Sequence, residues 1–450
     1  MAKQKSQNVL AATALREHFG QLRLEQLVTA SRTFPITSRV DLQLALETKF
    51  RELRTSPMGV HVQFAHETTT IAHLLHDGHN PVVIGPLQHD EVDIGETLPA
   101  RCLRYGLWLG EVDGMHFAAL LSPGFQFGQV LGVHVEIAVP PGVNGLEFSR
   151  EFLTEVEKLV LQTGSFRGKV ISLEASDRYS GTAGTVKVHR LRKVEREEVI
   201  LPQKTVELLE RNVFDFVGKR DGLLQLGMPI KKGLLFYGPP GTGKTHTIHY
   251  LAGQLRDHTT LLITAEQVGL LDHYFQLARF LQPAIVIIED VDLIARSREQ
   301  MGSACEESLL NRLLNEMDGL REDAAIMFVL TTNRPEQLEA ALASRPGRID
   351  QAIEFPMPDV EGRRKLVHLY ARGLAISSEL VNSVVRNTEG ASAAFIKELM
   401  RRSAQYYLQE DSAGFTEQHI RSALEEMLFS GGTLNARLLG VSVVEPTPKN

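Results

Sequence analysis

Apolar and polar positions recur with different periods along the chain, and each period predicts a different kind of structure. Near the N-terminus, Leu15, Phe19 and Leu22 lie at helical spacing, so the stretch 8–30 is predicted to begin with an amphipathic helix. From about 57 to 140, short alternating runs are separated by Gly and Pro, which predicts strands and turns.

The rest of the N-terminal part continues this mixed pattern. Leu146–Gly164 has helical periodicity and ends at a glycine, so a helix is predicted there. The runs KVISLEA and TVKVHRL that follow predict two more strands. Residues 1–195 are therefore predicted to form a mixed α+β domain, which we expect to recognise a client or partner.

After the charged run RKVEREEV, which we interpret as a solvated connector, the pattern changes. Unbroken apolar runs alternate with helical segments up to Pro356, which is typical of a parallel sheet with helices on both faces. The pattern then becomes purely helical before a polar tail. We expect an α/β domain at 196–356, a helical domain at 357–441 and a tail at 442–450.

Composition narrows the class of protein. The chain has 450 residues, 43% hydrophobic and 23% charged, which is typical of globular proteins with two or three domains. The net charge of −7 argues against a protein built mainly to hold nucleic acid. Cys102 and Cys305 form no metal-ligand pattern, and no signal peptide or membrane span is visible. We expect a cytoplasmic protein.

One histidine-rich segment could indicate a metal site. HETTTIAHLLHDGHN contains His66, His73, His76 and His79, with Glu67 adjacent. It lacks the spacing HExxH, and no cysteine lies near it. A helix end and a turn that happen to be rich in histidine are the favoured interpretation.

The segment GPPGTGKT follows the predicted strand GLLFY and precedes a predicted helix, as the phosphate-loop motif GxxxxGK[ST] requires. Its glycines let backbone N–H groups turn toward phosphate oxygens, and the helix N-terminus adds a positive dipole. Lys244 is expected to bridge the β- and γ-phosphates of ATP, and the Thr245 hydroxyl to bind Mg²⁺. The predicted nucleotide-binding residues here are Gly238, Pro239, Pro240, Gly241, Thr242, Gly243, Lys244, Thr245 and His246.

A second polar cluster is predicted at the ends of two buried strands. In PAIVIIEDVD, Glu289 and Asp290 directly follow four branched apolar residues. At that position one acid can hold Mg²⁺ through water, and another can activate the attacking water. Asn333, at the end of the strand IMFVLTT, can orient the same water. Arg345 and Arg348, which are hard to explain as core residues, could stabilise charge in the transition state.

Together, GPPGTGKT, IIEDVD, TTNRPEQLEAALASRPGRID and TEGASAAFIKELMRRSA resemble the ATPase module of the AAA family, within the AAA+ group, over residues from about 200 to 430. The resemblance implies a P-loop NTPase fold and a ring, usually a hexamer, with ATP at the subunit interfaces. It also implies that Arg345 and Arg348 serve the neighbouring subunit's nucleotide. The C-terminal helices resemble the family's lid, with Gly390 and Ala391 near its nucleotide-facing turn.

The order of the two acids departs from the family. Members usually have Asp then Glu, whereas this chain has Glu289 then Asp290, with Asp292 keeping the register. We expect Glu289 to take the magnesium position, beside Thr245, and Asp290 to activate water, because both remain carboxylates. The same order resembles the mitochondrial translocase of the Rieske iron–sulfur protein, although that branch carries a transmembrane helix.

A second departure concerns the loop after the second strand of the module. Unfoldases of the family place an aromatic–apolar–Gly triplet there, and the nearest equivalent here is Gln267-Val268-Gly269. The leading hypothesis is a Mg²⁺-dependent ATPase ring that acts as a remodelling, chaperone-like or unfoldase motor on an unidentified protein client. Because the triplet carries no aromatic residue, remodelling is favoured over processive threading. The alternatives are an AAA+ ATPase that acts with DNA or RNA, and a slow nucleotide-gated assembly scaffold.

Overall fold

The computed structural model describes residues 9–62, 66–75, 81–126, 129–175, 183–292, 307–337, 348–410 and 414–430. The strands are β1 (Val28–Pro35), β2 (Gly59–His61), β3 (Val83–Gly85), β4 (His89–Val92), β5 (Ala100–Leu103), β6 (Gly106–Val112), β7 (Met115–Gln126), β8 (Gln129–Val139), β9 (Val170–Ala175), β10 (Ala183–His189), β11 (Lys232–Tyr237), β12 (Thr259–Ile263), β13 (Ala284–Ile288), β14 (Ile326–Thr332) and β15 (Gln351–Glu354). The helices are α1 (Ala11–Phe19), α2 (Arg39–Glu52), α3 (Ile71–Leu74), α4 (Val143–Thr163), α5 (Gln203–Leu209), α6 (Asp215–Gly218), α7 (Arg220–Gln225), α8 (Lys244–Gln254), α9 (Leu271–Phe280), α10 (Glu307–Asp318), α11 (Val360–Tyr370), α12 (Ser378–Asn387), α13 (Ala393–Gln409) and α14 (Glu417–Glu425). Short 3₁₀ helices cover Leu24–Gln26, Ile36–Ser38, Arg196–Glu198, Ala265–Leu270 and Pro335–Gln337, and π-helical turns cover Glu210–Phe214 and Glu426–Ser430.

The chain divides into two compact units. The first unit contains residues 1–190 together with 269–281, and the second contains 191–268 together with 282–450. Helix α9 therefore belongs to the first unit although the chain on either side of it belongs to the second. The domain boundaries expected near 195, 356 and 441 stay predictions.

The first unit is organised around an antiparallel sheet in the order β1-β8-β7-β6. Successive residues of β7 and β8 point to opposite faces, so Leu121 and Ile137 join one core while Leu120 and Ala138 join another. Helices α2 and α4 cover the first face, and α1 packs on the second. Helix α4 ends at Gly164 in the left-handed conformation, as its sequence predicts.

The N-terminal helix is shorter than its sequence suggests. Helix α1 ends at Phe19, where Gly20 has a φ of 58°. Leu22 is partly buried against the same core as Leu15 but lies outside the helix. The end of the predicted stretch, from Val28, enters strand β1, which pairs with β8. Gly20 therefore ends the helix before Leu22, and pairing with β8 makes Val28–Pro35 a strand.

The second unit contains five parallel strands in the order β12-β13-β14-β11-β15. The α/β fold with a parallel sheet is thereby confirmed, and all five residues of β13 are buried. The sequence did not predict strand β15, because its four residues are too short a run to show a strand pattern. Parallel strands end at one edge of a sheet, so the segments that follow β11, β13 and β14 meet there.

Helices α11–α14 follow the sheet and form the helical part of the second unit, here called the lid. Their apolar faces enclose one core that includes Leu366, Val384, Phe395 and Ile420. Side-chain caps at Asp359, Ser377 and Ser392 begin α11, α12 and α13. The helical domain that the sequence predicts is thus present, while the polar tail lies outside the described residues.

Candidate nucleotide site

The phosphate loop connects β11 to α8 and has a backbone that only glycine adopts easily. Gly238, Gly241 and Gly243 have φ values of 144°, 76° and 102°. A Cβ on Gly238 would lie 2.2 Å from the backbone oxygen of Phe355. Thr242 Oγ1 donates to the Pro239 carbonyl at 2.9 Å and closes the turn. The loop is therefore a cradle of backbone groups in which an added side chain is not tolerated at Gly238.

Lys244 is the first residue of α8, and only 7% of it is exposed. Its Nζ donates to the carbonyl oxygens of Gly238 at 2.7 Å and Pro239 at 2.9 Å. Burial lowers the pKa of Lys244 to about 8, against the opposing charges of Asp290 and Asp292. The ammonium group is thus held inside the loop, where a polyphosphate would meet it.

The two predicted metal ligands lie side by side. Thr245 Oγ1, in the first turn of α8, donates to Glu289 Oε1 at 2.8 Å. Glu289 follows β13, and its backbone N–H donates to Ile263 at the end of β12. Mg²⁺ prefers oxygen ligands and is usually held by one or two carboxylates, water and substrate phosphates. This pair of oxygens beside the phosphate loop fits that ion.

Asp290 and Asn333 form a second pair. Asn333 Nδ2 donates to Asp290 Oδ1 at 3.0 Å, and the Asp290 N–H donates to Thr331 Oγ1 at 3.0 Å. The backbone of Asp290 is left-handed, with a φ of 49°. Asp292, 3% exposed, accepts from Thr332 Oγ1 at 2.9 Å and from the Asn333 N–H at 3.2 Å. The buried Asp292 therefore fixes the chain that presents Asn333 to Asp290.

A cavity of about 360 Å³ collects these groups with part of the lid. The loop residues from Pro240 onward, Asp290 and Asn333 line it, as do Ala393, Ala394 and Lys397 of α13. The Ala394 N–H donates to the Gly241 carbonyl at 3.1 Å, so α13 begins against the phosphate loop. Gly390 and Ala391 do not line the cavity, and Ala391 is buried in the lid core.

A comparison with known families agrees with this geometry. Residues 234–357 match the model of the family described as ATPase family associated with various cellular activities (AAA). The chain contains an AAA ATPase domain. ATP hydrolysis is the activity of such a domain, and the matched residues contain the phosphate loop, both acids and Asn333.

Curated proteins with a similar sequence include several named as ATP-dependent zinc metalloproteases. FTSH of Capsicum annuum chloroplasts is 32% identical over 246 residues, which are 52% of this chain and 37% of that protein. FtsH 3 of Synechocystis is 32% identical over 240 residues, 51% and 38% respectively. FtsH of Thermus thermophilus is 29% identical over 311 residues, 66% and 49%. The chain thus spans between about a third and a half of these relatives.

Sequence reasoning missed part of the AAA domain's cavity. The run interpreted as a solvated connector ends in Glu198 and Val199, and these two residues line the cavity together with the following Ile200 and Leu201. His246 Nε2 lies 3.2 Å from the Glu198 carbonyl, and burial lowers the pKa of His246. The connector interpretation is therefore wrong for Glu198 and Val199. The available signal was the apolar run VILP that directly follows the charges.

The structure describes only one of the two predicted arginine fingers. Arg345 lies outside the described residues. Arg348 is 9% exposed and pairs with Asp318 of α10, with Asn315 Oδ1 3.4 Å from Nη2. Its side chain thus has the structural partner that the sequence did not reveal. Arg348 Nη1 is nevertheless buried without an acceptor in the described part of the chain. A role in another subunit's site stays a prediction.

The histidine-rich segment is partly described. His73 Nδ1 accepts from the Thr70 N–H at 3.1 Å and completes a capping box at the start of α3. His76 and His79 lie outside the described residues. Within the ranges that are described, no group of three or more His, Cys, Asp or Glu side chains could hold a metal ion.

Two further sequence predictions concern polypeptide threading and a membrane span. The triplet Gln267-Val268-Gly269 lies within the 3₁₀ helix Ala265–Leu270, and its part in threading stays a prediction. None of the helices in the described ranges combines the length and apolar composition that crossing a bilayer requires.

Proposed function

We propose that this chain couples hydrolysis of Mg²⁺-ATP in its AAA domain to remodelling of a protein client that the first unit selects. One observation carries the catalytic part of the proposal. The phosphate loop from Pro240 onward, Thr245 and the Asp290–Asn333 pair line one cavity at the carboxyl edge of the parallel sheet, and Glu289 joins them through its hydrogen bond from Thr245.

The geometry supports a specific division of roles. Lys244 and the loop N–H groups bind the phosphates, and Thr245 with Glu289 holds Mg²⁺, which neutralises phosphate charge when bound. Asn333 Nδ2 donates to Oδ1 of Asp290 at 3.0 Å, so we assign the other carboxylate oxygen, Oδ2, to the attacking water. Asp290 accepts a proton from that water as its oxygen attacks the γ-phosphorus, and ADP leaves with the bridging oxygen.

The reversed order of acids fits these roles. The longer side chain, Glu289, reaches the Thr245 hydroxyl at the start of α8. The shorter one, Asp290, lies beside Asn333 and lines the cavity. A Glu-Asp order can therefore serve the two functions of the usual Asp-Glu order. We propose an active enzyme rather than an inert nucleotide-binding scaffold.

The proposed assembly is a homo-oligomeric ring, with a hexamer as the expectation, in which Arg345 and Arg348 act at the neighbouring subunit's nucleotide. That role requires Arg348, which is 9% exposed and paired with Asp318, to leave this ion pair. We propose no peptidase activity for these residues, although the relatives are named as zinc metalloproteases. HExxH, the usual zinc-protease spacing, does not occur among the 450 residues.

The experiment compares ATP turnover and client remodelling in the full chain and two variants. Lys244→Ala should abolish ATP binding and ATP-dependent loss of structure in a tagged, stable client. The matched control is Lys204→Ala, which removes a lysine that is exposed on α5 and does not line the cavity. ATP turnover that survives in Lys244→Ala would contradict the assignment of this cavity as the nucleotide site. Normal turnover without any client remodelling would contradict the motor function alone.

A further inference from the structure

Two further cavities lie wholly within the first unit. One has a volume of about 660 Å³ and is lined partly by α9, and the other has a volume of about 490 Å³. Ile36 and Phe125 line both. The two cavities therefore adjoin at these residues, and an extended chain that passes over Ile36 and Phe125 would reach both. We call the two cavities together the recognition groove, with a wide end and a narrow end.

The wide end is mainly apolar. Phe34, Val160, Leu161, Leu277 and Phe280 contribute to its walls. Leu161 is 49% exposed, so part of this apolar lining is open to a ligand. The volume and apolar lining are those of a site that takes up several side chains.

The narrow end carries an excess of positive charge. Arg39 Nη2 donates to Asp90 Oδ2 at 2.7 Å, and Arg104 Nη2 donates to Asp90 Oδ1 at 2.6 Å. The pKa of Asp90 is lowered by these two guanidinium groups, so the carboxylate stays ionised. Among the residues that line the narrow end, Arg39, Arg104 and Asp90 are the charged ones. The other ionisable side chains in that lining are His61 and Tyr105. Two cations therefore share one anion, and one further carboxylate would neutralise the end.

Exposed amides decide between possible occupants. Gln88 lines the narrow end and Gln276 the wide end, and both are exposed. A fatty acid would place hydrocarbon against these amides, whereas a peptide backbone offers them donors and acceptors. Val130 also lines the narrow end and is 39% exposed. The narrow end can therefore contact an apolar side chain of a bound peptide next to the peptide's own carboxylate.

We propose that the recognition groove binds the C-terminal end of a client polypeptide that carries apolar side chains. Its terminal carboxylate binds Arg39 and Arg104, and the apolar side chains that precede it fill the wide end. This inference rests on the proposed function, because it identifies the feature by which the client is selected. Bidentate guanidinium groups suit a carboxylate, and the pair provides two.

The test measures binding of a fluorescein-labelled peptide ending in Leu-Val-Phe-Leu to the full chain without nucleotide, by fluorescence anisotropy. The free-acid peptide should bind about tenfold or more tightly than its C-terminal amide, because a charge-assisted contact is lost in the amide. Arg104→Gln should remove most of this difference. The control Arg101→Gln removes an exposed arginine of β5, three residues before Arg104 and outside the lining, and should retain it.

Asp90→Asn should change the preference for the free acid over the amide in the opposite direction. It removes the competing carboxylate, so the preference for the free acid should increase. If Asp90→Asn and Arg104→Gln weaken binding alike, the network is structural and the proposal fails. Equal affinity for acid and amide, or displacement of the peptide by dodecanoate at lower concentration than by unlabelled peptide, would also overturn it. ATP turnover of the same samples separates this failure from failure of the AAA site.

Discussion

Asp292 offers a test of how the site is positioned, because it lies behind the two proposed working acids. Its carboxylate is 3% exposed and accepts from Thr332 Oγ1 at 2.9 Å and from the Asn333 N–H at 3.2 Å. Asp292→Ala leaves the buried Thr332 hydroxyl and the half-buried Asn333 N–H without this acceptor. Hydrogen bonds to a charged group contribute about 1.5–3 kcal/mol each, so two of them predict a loss of about 3 kcal/mol or more in the free energy of unfolding.

The same change should slow catalysis more than it weakens binding. Asn333 loses the contact that fixes its backbone, and displacing a catalytic group by about 1 Å can cost roughly a hundredfold in rate. Urea denaturation and ATP turnover measure the two effects, with Asp292→Asn as the control that keeps the size and one acceptor oxygen. The reasoning is refuted if Asp292→Ala loses less than about 1 kcal/mol, or if nucleotide binding falls while turnover at saturating ATP does not.

Three further predictions concern other parts of the second unit. Burial, with the charge of Arg220, lowers the pKa of His258 to about 4 from 6.5, so the unfolded chain binds the proton first and stability is lost as the pH falls from 6.5 to 4. His258→Gln should flatten that dependence by about 3 kcal/mol in pH-dependent denaturation, and an unchanged slope would contradict the assignment. Arg348→Ala should lower turnover, and mixing it with Asp290→Asn should restore some activity if sites are shared; no recovery despite proven subunit exchange would make Arg348 purely structural. Gly241→Ala should weaken ATP binding, because its φ is 76° and the new Cβ would lie 2.9 Å from a lid serine hydroxyl; wild-type affinity by calorimetry would refute this.

The phosphate loop and the reversed acids could be predicted because their chemistry is local. Glycine spacing, a strand before the loop and a helix after it specify the conformation of GPPGTGKT. The position of Glu289 and Asp290 follows from β13 being a buried parallel strand, since all such strands end at one edge. Asn333 lies at the end of the neighbouring strand β14 for the same reason.

The remaining parts of the site depend on contacts between distant segments. Nothing local to Ala394 or Lys397 shows that the start of α13 lies against the phosphate loop. Likewise, the charged residues before Val199 suggest a solvated connector, and only the tertiary fold turns this segment into a cavity wall. Sequence periodicity also could not separate the end of α1 from the start of β1, because pairing with β8 decides the conformation of Val28–Pro35.

The central claim is that Glu289 holds the metal and Asp290 activates water, and one paired measurement tests it most directly. ATP affinity with and without Mg²⁺, and turnover at saturating Mg²⁺-ATP, are measured for Asp290→Asn and Glu289→Gln. We predict that Asp290→Asn keeps Mg²⁺-dependent binding but hydrolyses ATP on the order of a hundredfold more slowly or worse. Glu289→Gln should instead lose the magnesium dependence of binding. The opposite assignment of effects, or turnover near wild type in Asp290→Asn, would contradict the account.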